Sequence, residues 1–125
     1  DQMGIEYEDL GAYSEESVDY PDYAERVARR VAAGEAKRGI LVCGSGIGMQ
    51  IAANKVPGIR AALAWNEETA KLAREHNDAN ILAVGSRTTP QETIEQIARA
   101  FLTTDFAAGR HTRRVEKITQ IEQHK

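Results

Sequence analysis

The stretch Ile40-Leu41-Val42-Cys43-Gly44-Ser45-Gly46-Ile47-Gly48 decides the fold. Its first four residues form a continuous apolar run, preceded by a charged, Gly-bounded turn. Such a run suits a strand buried on both faces. The glycines punctuate a turn, and a short helix over 49–55 is expected next. Downstream, 61–64 reads as a second short strand. Asn66 is a cap for the following helix, with Glu67 and Glu68 against its positive end, and that helix runs to about Glu75. Residues 80–84 form another buried strand, closed by Gly85. Pro90 opens a helix whose Ile94, Ile97, Ala98, Phe101 and Leu102 recur at helical spacing. A loop over 103–109 leads to a last helix over 110–125. Upstream, a helix starts near Asp19, with Pro21 and Asp22 in its first turn and Gly34 as its stop. Before it lie a polar loop and a half-buried strand over 5–10. Short apolar runs alternating with helical patterns predict an α/β domain with a parallel sheet.

The chain's 125 residues are one domain's worth, 1–125, and its formal charge is −3. No Lys/Arg-rich run supplies a footprint for nucleic acid. Arg110, Arg113, Arg114 and Lys117 form a small basic group, suited to one phosphate. A single cysteine allows no internal disulfide and fits a reducing compartment. No apolar run reaches membrane-spanning length and no secretory core is visible, so the expectation is a soluble cytoplasmic protein without a membrane partner. The last helix carries only the narrow stripe Val115, Ile118 and Ile121, which predicts packing on a neighbouring subunit.

The glycine-rich turn is the first candidate site. Ligands of open α/β sheets bind at the C-terminal ends of strands. Glycines there permit positive φ and close backbone approach, and successive N–H groups at a helix start hold anions. The spacing is G-x-G-x-G, neither the dinucleotide fingerprint G-x-G-x-x-G nor a Walker loop. Cys43 ends the strand at this turn. Helix-start donors favour its thiolate, a competent general base. The alternative is a small buried hydrophobe, the commoner fate of a lone cysteine.

Several further stretches act together with this one. They are Ser17-Val18-Asp19-Tyr20-Pro21-Asp22-Tyr23-Ala24, Ile51-Ala52-Ala53-Asn54-Lys55, Arg74-Glu75-His76-Asn77-Asp78-Ala79-Asn80, Gly85-Ser86-Arg87 and Gly109-Arg110-His111-Thr112-Arg113-Arg114-Val115. In order and spacing, over nearly the whole chain, they resemble the ribose-5-phosphate isomerase B and galactose-6-phosphate isomerase family. The resemblance implies a doubly wound, Rossmann-like α/β/α sandwich. It implies homodimers or homotetramers with active sites shared across an interface. It further implies aldose–ketose isomerisation of a sugar phosphate through an enediolate, in the pentose phosphate route, with no metal and no organic cofactor.

On the matching positions, the resemblance assigns Cys43 as the base that takes the proton from C2 of the aldose and returns it at C1. Some members use a Glu just after the glycine loop, where this chain has Met49. Ser45 would move protons between O1 and O2. The amides of Gly44, Ser45, Gly46 and Gly48 would hold the enediolate. His76 would assist opening of the furanose ring, Asn77 would bind a sugar oxygen and Tyr20 would line the sugar site. Arg110 and Arg114, four apart on a helix, would meet the phosphate. Arg87 would join them, reaching a neighbour's site together with His76 and Asn77. His111 and His124 read as surface residues, and Trp65 and Phe101 as core or interface.

The chain departs from the family at its start. Members begin with a strand ending in an Asp-His pair, then a helix, whereas this chain starts about where a second strand is expected. The expectation is a fragment of a longer protein; a molecule of this length alone would be poorly stable and scarcely active. Two other readings accompany the five-carbon substrate. One is a six-carbon substrate, allose 6-phosphate or galactose 6-phosphate. The other is a module that binds a sugar phosphate without chemistry.

Overall fold

The structure, a computed structural model, describes residues 20–123. The expected strand over 5–10, the loop after it and His124 lie outside the described residues. Within them the order is α1 (Tyr20–Ala32), β1 (Gly39–Cys43), α2 (Ile47–Ala53), β2 (Ala61–Leu63), α3 (Glu67–Asn77), β3 (Ile81–Gly85), α4 (Gln91–Thr103) and α5 (Arg110–Gln123). The helix after Gly46 starts at Ile47, two residues earlier than expected, because left-handed Gly46 (φ 81°) already ends the turn. The helix after Asn66 runs to Asn77, two residues later than expected. Asp78, in the left-handed region (φ 48°), stops it. At its start, the Asn66 side chain accepts from the Thr69 amide and Thr69 Oγ1 accepts from the Asn66 amide, which closes a capping box.

The three strands are parallel, in the order β1-β3-β2. The crossover β1-α2-β2 runs one way along the sheet and β2-α3-β3 runs back. Right-handed crossovers in opposite directions place their helices on opposite faces. Accordingly α1 and α2 pack with Leu41, Ile81, Ala83 and Ala61 on one face, while α3 and α4 pack with Leu82 and Val84 on the other. The result is the expected α/β/α sandwich.

β3 is the middle strand and is buried throughout. β1 departs from the expected burial on both faces: Leu41 is buried but Val42 is 47% exposed. Among the described residues β1 pairs on one side only. α5 buries only Val115 of its three-residue stripe. Its far end is tethered where the Gly58 amide donates to both Glu122 carboxylate oxygens at 3.0 Å.

Candidate active site

Adjacent strands β1 and β3 lead into helices on opposite faces, α2 and α4. Their C-terminal loops therefore part and leave a crevice, the general ligand position in open α/β sheets. Cys43 pairs with Gly85 at the strands' ends. The two loops are stitched together: the Ser86 amide donates to Cys43 O at 2.7 Å, and the Arg87 amide to Gly44 O at 2.9 Å. Cys43 is half-buried, packed against the α1–α2 side of the sheet. It is therefore neither sealed in the core nor fully open.

Close approach explains the glycines. A Cβ on Gly46 would stand 2.8 Å from Leu63 Cδ1 and 2.9 Å from Val84 C, and the residue holds φ 81°. Only glycine meets both conditions without strain. A Cβ on Gly85 would lie 2.6 Å from Ser45 O. Gly44 leaves room for Arg87, whose Cδ and Nε would be 3.3 Å from a Cβ at that position. The Tyr20 ring lies against Gly48 in the same way: a Cβ there would be 2.6 Å from its Cε1 and Cζ. Ser45 Oγ accepts from the Ile47 amide at 3.3 Å. The next amides of α2, including Gly48, have no intrahelical acceptor and emerge at the helix start. Tyr20, Cys43, Gly44, Ser45, Gly46, Gly48 and Arg87 thus meet at one end of the sheet. Within the chain, Arg87 lies at the Cys43 end of the sheet.

His76, Asn77, Arg110 and Arg114 gather elsewhere. α3 follows β2 and returns to the beginning of β3, so its last turn lies at the N-terminal end of the parallel strands. Four steps of β3, at ~3.3 Å each, separate that end from Cys43's level by about 13 Å. Here the imidazoles of His76 and His111 stack, with centroids 4.3 Å apart and planes 18° from parallel. Arg110 and Arg114 flank this pair on α5 as exposed cations. Loss of hydration holds His111 below its ordinary pKa, helped by His76, Arg110 and Arg114, with Glu75 opposing. The structure corrects the sequence expectation of His111 as plain surface. It is half-buried because an aromatic ring sits on it, and no spacing rule in the sequence joins residues 76 and 111.

Among the described residues, no three His, Cys, Asp or Glu side chains group so as to hold a metal ion. A groove opens along the edge of β2 that is unpaired among the described residues, between α2, α3 and α5, lined by Leu63, Trp65, Leu72, Ile118 and Ile121. It is distinct from the Cys43 crevice. Trp65 (62% exposed) and Ile121 (68% exposed) are large apolar groups left in water there. No helix among the described residues is long and apolar enough to cross a membrane.

Residues 1–118 match the Ribose/Galactose Isomerase family. Ribose-5-phosphate isomerase B of Escherichia coli is 48% identical over 124 residues, covering 99% of this chain and 83% of the relative. The structure of ribose-5-phosphate isomerase B from Clostridium thermocellum superposes with a TM-score of 0.95 at 50% identity, covering 98% of this chain and 83% of that one. The Mycoplasma genitalium enzyme of the same name, solved with bound ribulose 5-phosphate, has a TM-score of 0.87 at 43% identity, covering 93% and 78%.

Proposed function

The chain belongs to the ribose/galactose isomerase family, and we propose that it interconverts ribose 5-phosphate and ribulose 5-phosphate. The observation that carries the reading is the half-buried thiol at the mouth of the β1/β3 crevice, in a fold shared with a relative that holds ribulose 5-phosphate. The Cys43 thiolate takes the proton from C2 of the open-chain aldose, and the electron pair shifts to form an enediolate. The same group returns the proton to C1 to give the ketose. Amides at the start of α2 face the oxygen that gains charge, where fixed donors act most strongly. The Ser45 hydroxyl passes a proton between O1 and O2. Tyr20 and Arg87 wall the crevice on either side of the glycine loop.

The remaining roles require two subunits. His76, for ring opening, and Asn77, for a sugar oxygen, lie about 13 Å along the sheet from Cys43, with Arg110 and Arg114, for the phosphate, beside them. A ribose 5-phosphate molecule is too short to bridge that span through the body of the sheet. A homodimer, or a tetramer built from such dimers, brings one subunit's His76 and arginines to its partner's Cys43. The uncovered Trp65, Leu72, Ile118 and Ile121 supply an apolar face for that contact. Residues 1–125 act as one domain. The lone thiol and the phosphorylated substrate suit the cytoplasm.

Cys43→Ala tests the assignment. Isomerisation of ribose 5-phosphate should fall by about 10²–10⁴-fold, the usual share of a general base, while inorganic phosphate still binds. A variant with near-parental turnover would remove Cys43 from the reaction.

A further inference from the structure

Arg74 is one of two buried polar or charged side chains among the described residues, at 5% exposure. It lies on α3 two residues before His76. Its Nε donates to Thr104 O at 3.0 Å, and its Nη1 donates to Ala79 O and to Asp78 Oδ1, both at 2.8 Å. One guanidinium therefore joins three segments: the last turn of α3, the entry to β3, and the connection from α4 to α5. Asp78 is held from its other side by Arg60, whose Nη2 donates to Asp78 O at 2.9 Å and to Asp78 Oδ2 at 3.4 Å. Beyond Thr104, the Ala107 amide donates to Glu75 O at 3.1 Å. The chain then turns through left-handed Ala108 and Gly109 into α5.

These contacts tie the connection into α5 to the end of α3. The His76–His111 stack is the direct consequence, since each ring sits on one of the two segments. A buried cation is costly unless its donors are satisfied. An apolar residue of similar volume would fill the space with less desolvation. The guanidinium adds what an apolar residue lacks, directional bonds to two carbonyls and a carboxylate in a fixed planar geometry.

We propose that Arg74 is a positioning residue, which holds the His76 imidazole in register with His111, Arg110 and Arg114. It touches no substrate. It sets the spacing between the ring-opening group and the phosphate-binding cations. The inference rests on the isomerase reading for its kinetic consequence, but not for its structural one.

The test uses Arg74→Gln and, as the gentler variant, Arg74→Lys, in the full chain. The direct readout is the imidazole resonances of His76 and His111 in heteronuclear NMR, with circular dichroism recording that the fold persists. Both variants should lose the mutual ring-current shifts of the stacked pair. The kinetic readout is kcat/KM for ribose 5-phosphate, with inorganic phosphate as a competing ligand. We expect kcat/KM to fall roughly tenfold or more, in line with the sensitivity of catalysis to small misplacements. Inhibition by phosphate should stay within about twofold, because the two arginines remain on their helix. In a His76→Ala background, Arg74→Lys should cost about twofold or less, since residues acting as a unit are not additive. Unchanged imidazole resonances in a folded Arg74→Lys protein would overturn the proposal. So would an equal kinetic loss with and without His76. A parent chain that shows the stack, loses it on substitution, and does not turn over ribose 5-phosphate would refute the substrate assignment and leave the positioning role standing.

Discussion

Gly46 offers the sharpest test of how the site is built, because two separate costs converge on it and a second glycine carries only one of them. Gly46 has φ +81°, and an added Cβ meets Leu63 Cδ1 at 2.8 Å and the Val84 carbonyl carbon and oxygen at 2.9 and 3.1 Å. Gly34 has φ +79° with nothing within 4 Å. Gly34→Ala therefore faces the left-handed strain alone, about 1–2 kcal/mol. Gly46→Ala faces the same strain plus overpacking against backbone of the central strand, about 1–3 kcal/mol more. The sum is roughly 2–5 kcal/mol, a large share of the ~5–15 kcal/mol that holds a small domain folded. At roughly 4 °C per kcal/mol for a domain of this size, Tm should drop by about 8–20 °C for Gly46→Ala and about 4–8 °C for Gly34→Ala. Differential scanning calorimetry reads both. A second consequence separates the two sites. Gly46→Ala pushes the loop away from β3 and shifts the start of α2 relative to Cys43, so kcat/KM measured below the transition should fall by about 10–10²-fold. Gly34→Ala should leave it unchanged. Equal Tm losses for the two variants would refute the close-approach argument, and so would full activity in a destabilised Gly46→Ala protein.

Arg110→Ala or Arg114→Ala should raise KM for ribose 5-phosphate by about 10–10²-fold, the loss of a charged hydrogen bond worth ~1.5–3 kcal/mol; steady-state kinetics at low and high salt check it, and an unchanged KM in both variants would place the phosphate elsewhere. The folded state holds His111 below the ordinary imidazole value of 6.5, so it favours the neutral ring. The unfolded chain then binds the extra proton first, and stability should be lost as pH falls through about 6.5 and level off below the folded pKa. His111→Phe should flatten that part of the Tm–pH curve; an undiminished slope would exonerate His111. If the two-subunit arrangement proposed above holds, Ile118→Asp with Ile121→Lys should shift the sedimentation coefficient toward that of a monomer and depress turnover. A monomeric parent chain would end the two-subunit account.

The apolar periods, the glycine-rich handover after Cys43, the Asn66 cap and the Pro90 start are local features, and local sterics and hydrogen bonding dictate them wherever they occur. That is why the α/β class, the parallel strands and the positions of most elements are legible from the residues. So is the crevice group, since Cys43, Gly44, Ser45, Gly46 and Gly48 lie close together and travel on one turn. Tyr20 and Arg87 enter through the family resemblance, and the structure brings Tyr20 against Gly48 and Arg87 against Gly44, two glycines of the same turn. What the order of residues leaves open is which end of the sheet each remaining group occupies. His76, Asn77, Arg110 and Arg114 read as partners of Cys43, yet α3 runs antiparallel to the strands and delivers His76 and Asn77 to the end opposite Cys43, where α5 brings Arg110 and Arg114. The exposure of Val42, the stacking of His111 on His76 and the three-way bonding of Arg74 are likewise contacts between segments distant in sequence. Periodicity reports which face of an element is apolar, but only the packing of the elements decides which groups meet, because long-range contacts depend on strand order and crossover direction and leave no period in the chain.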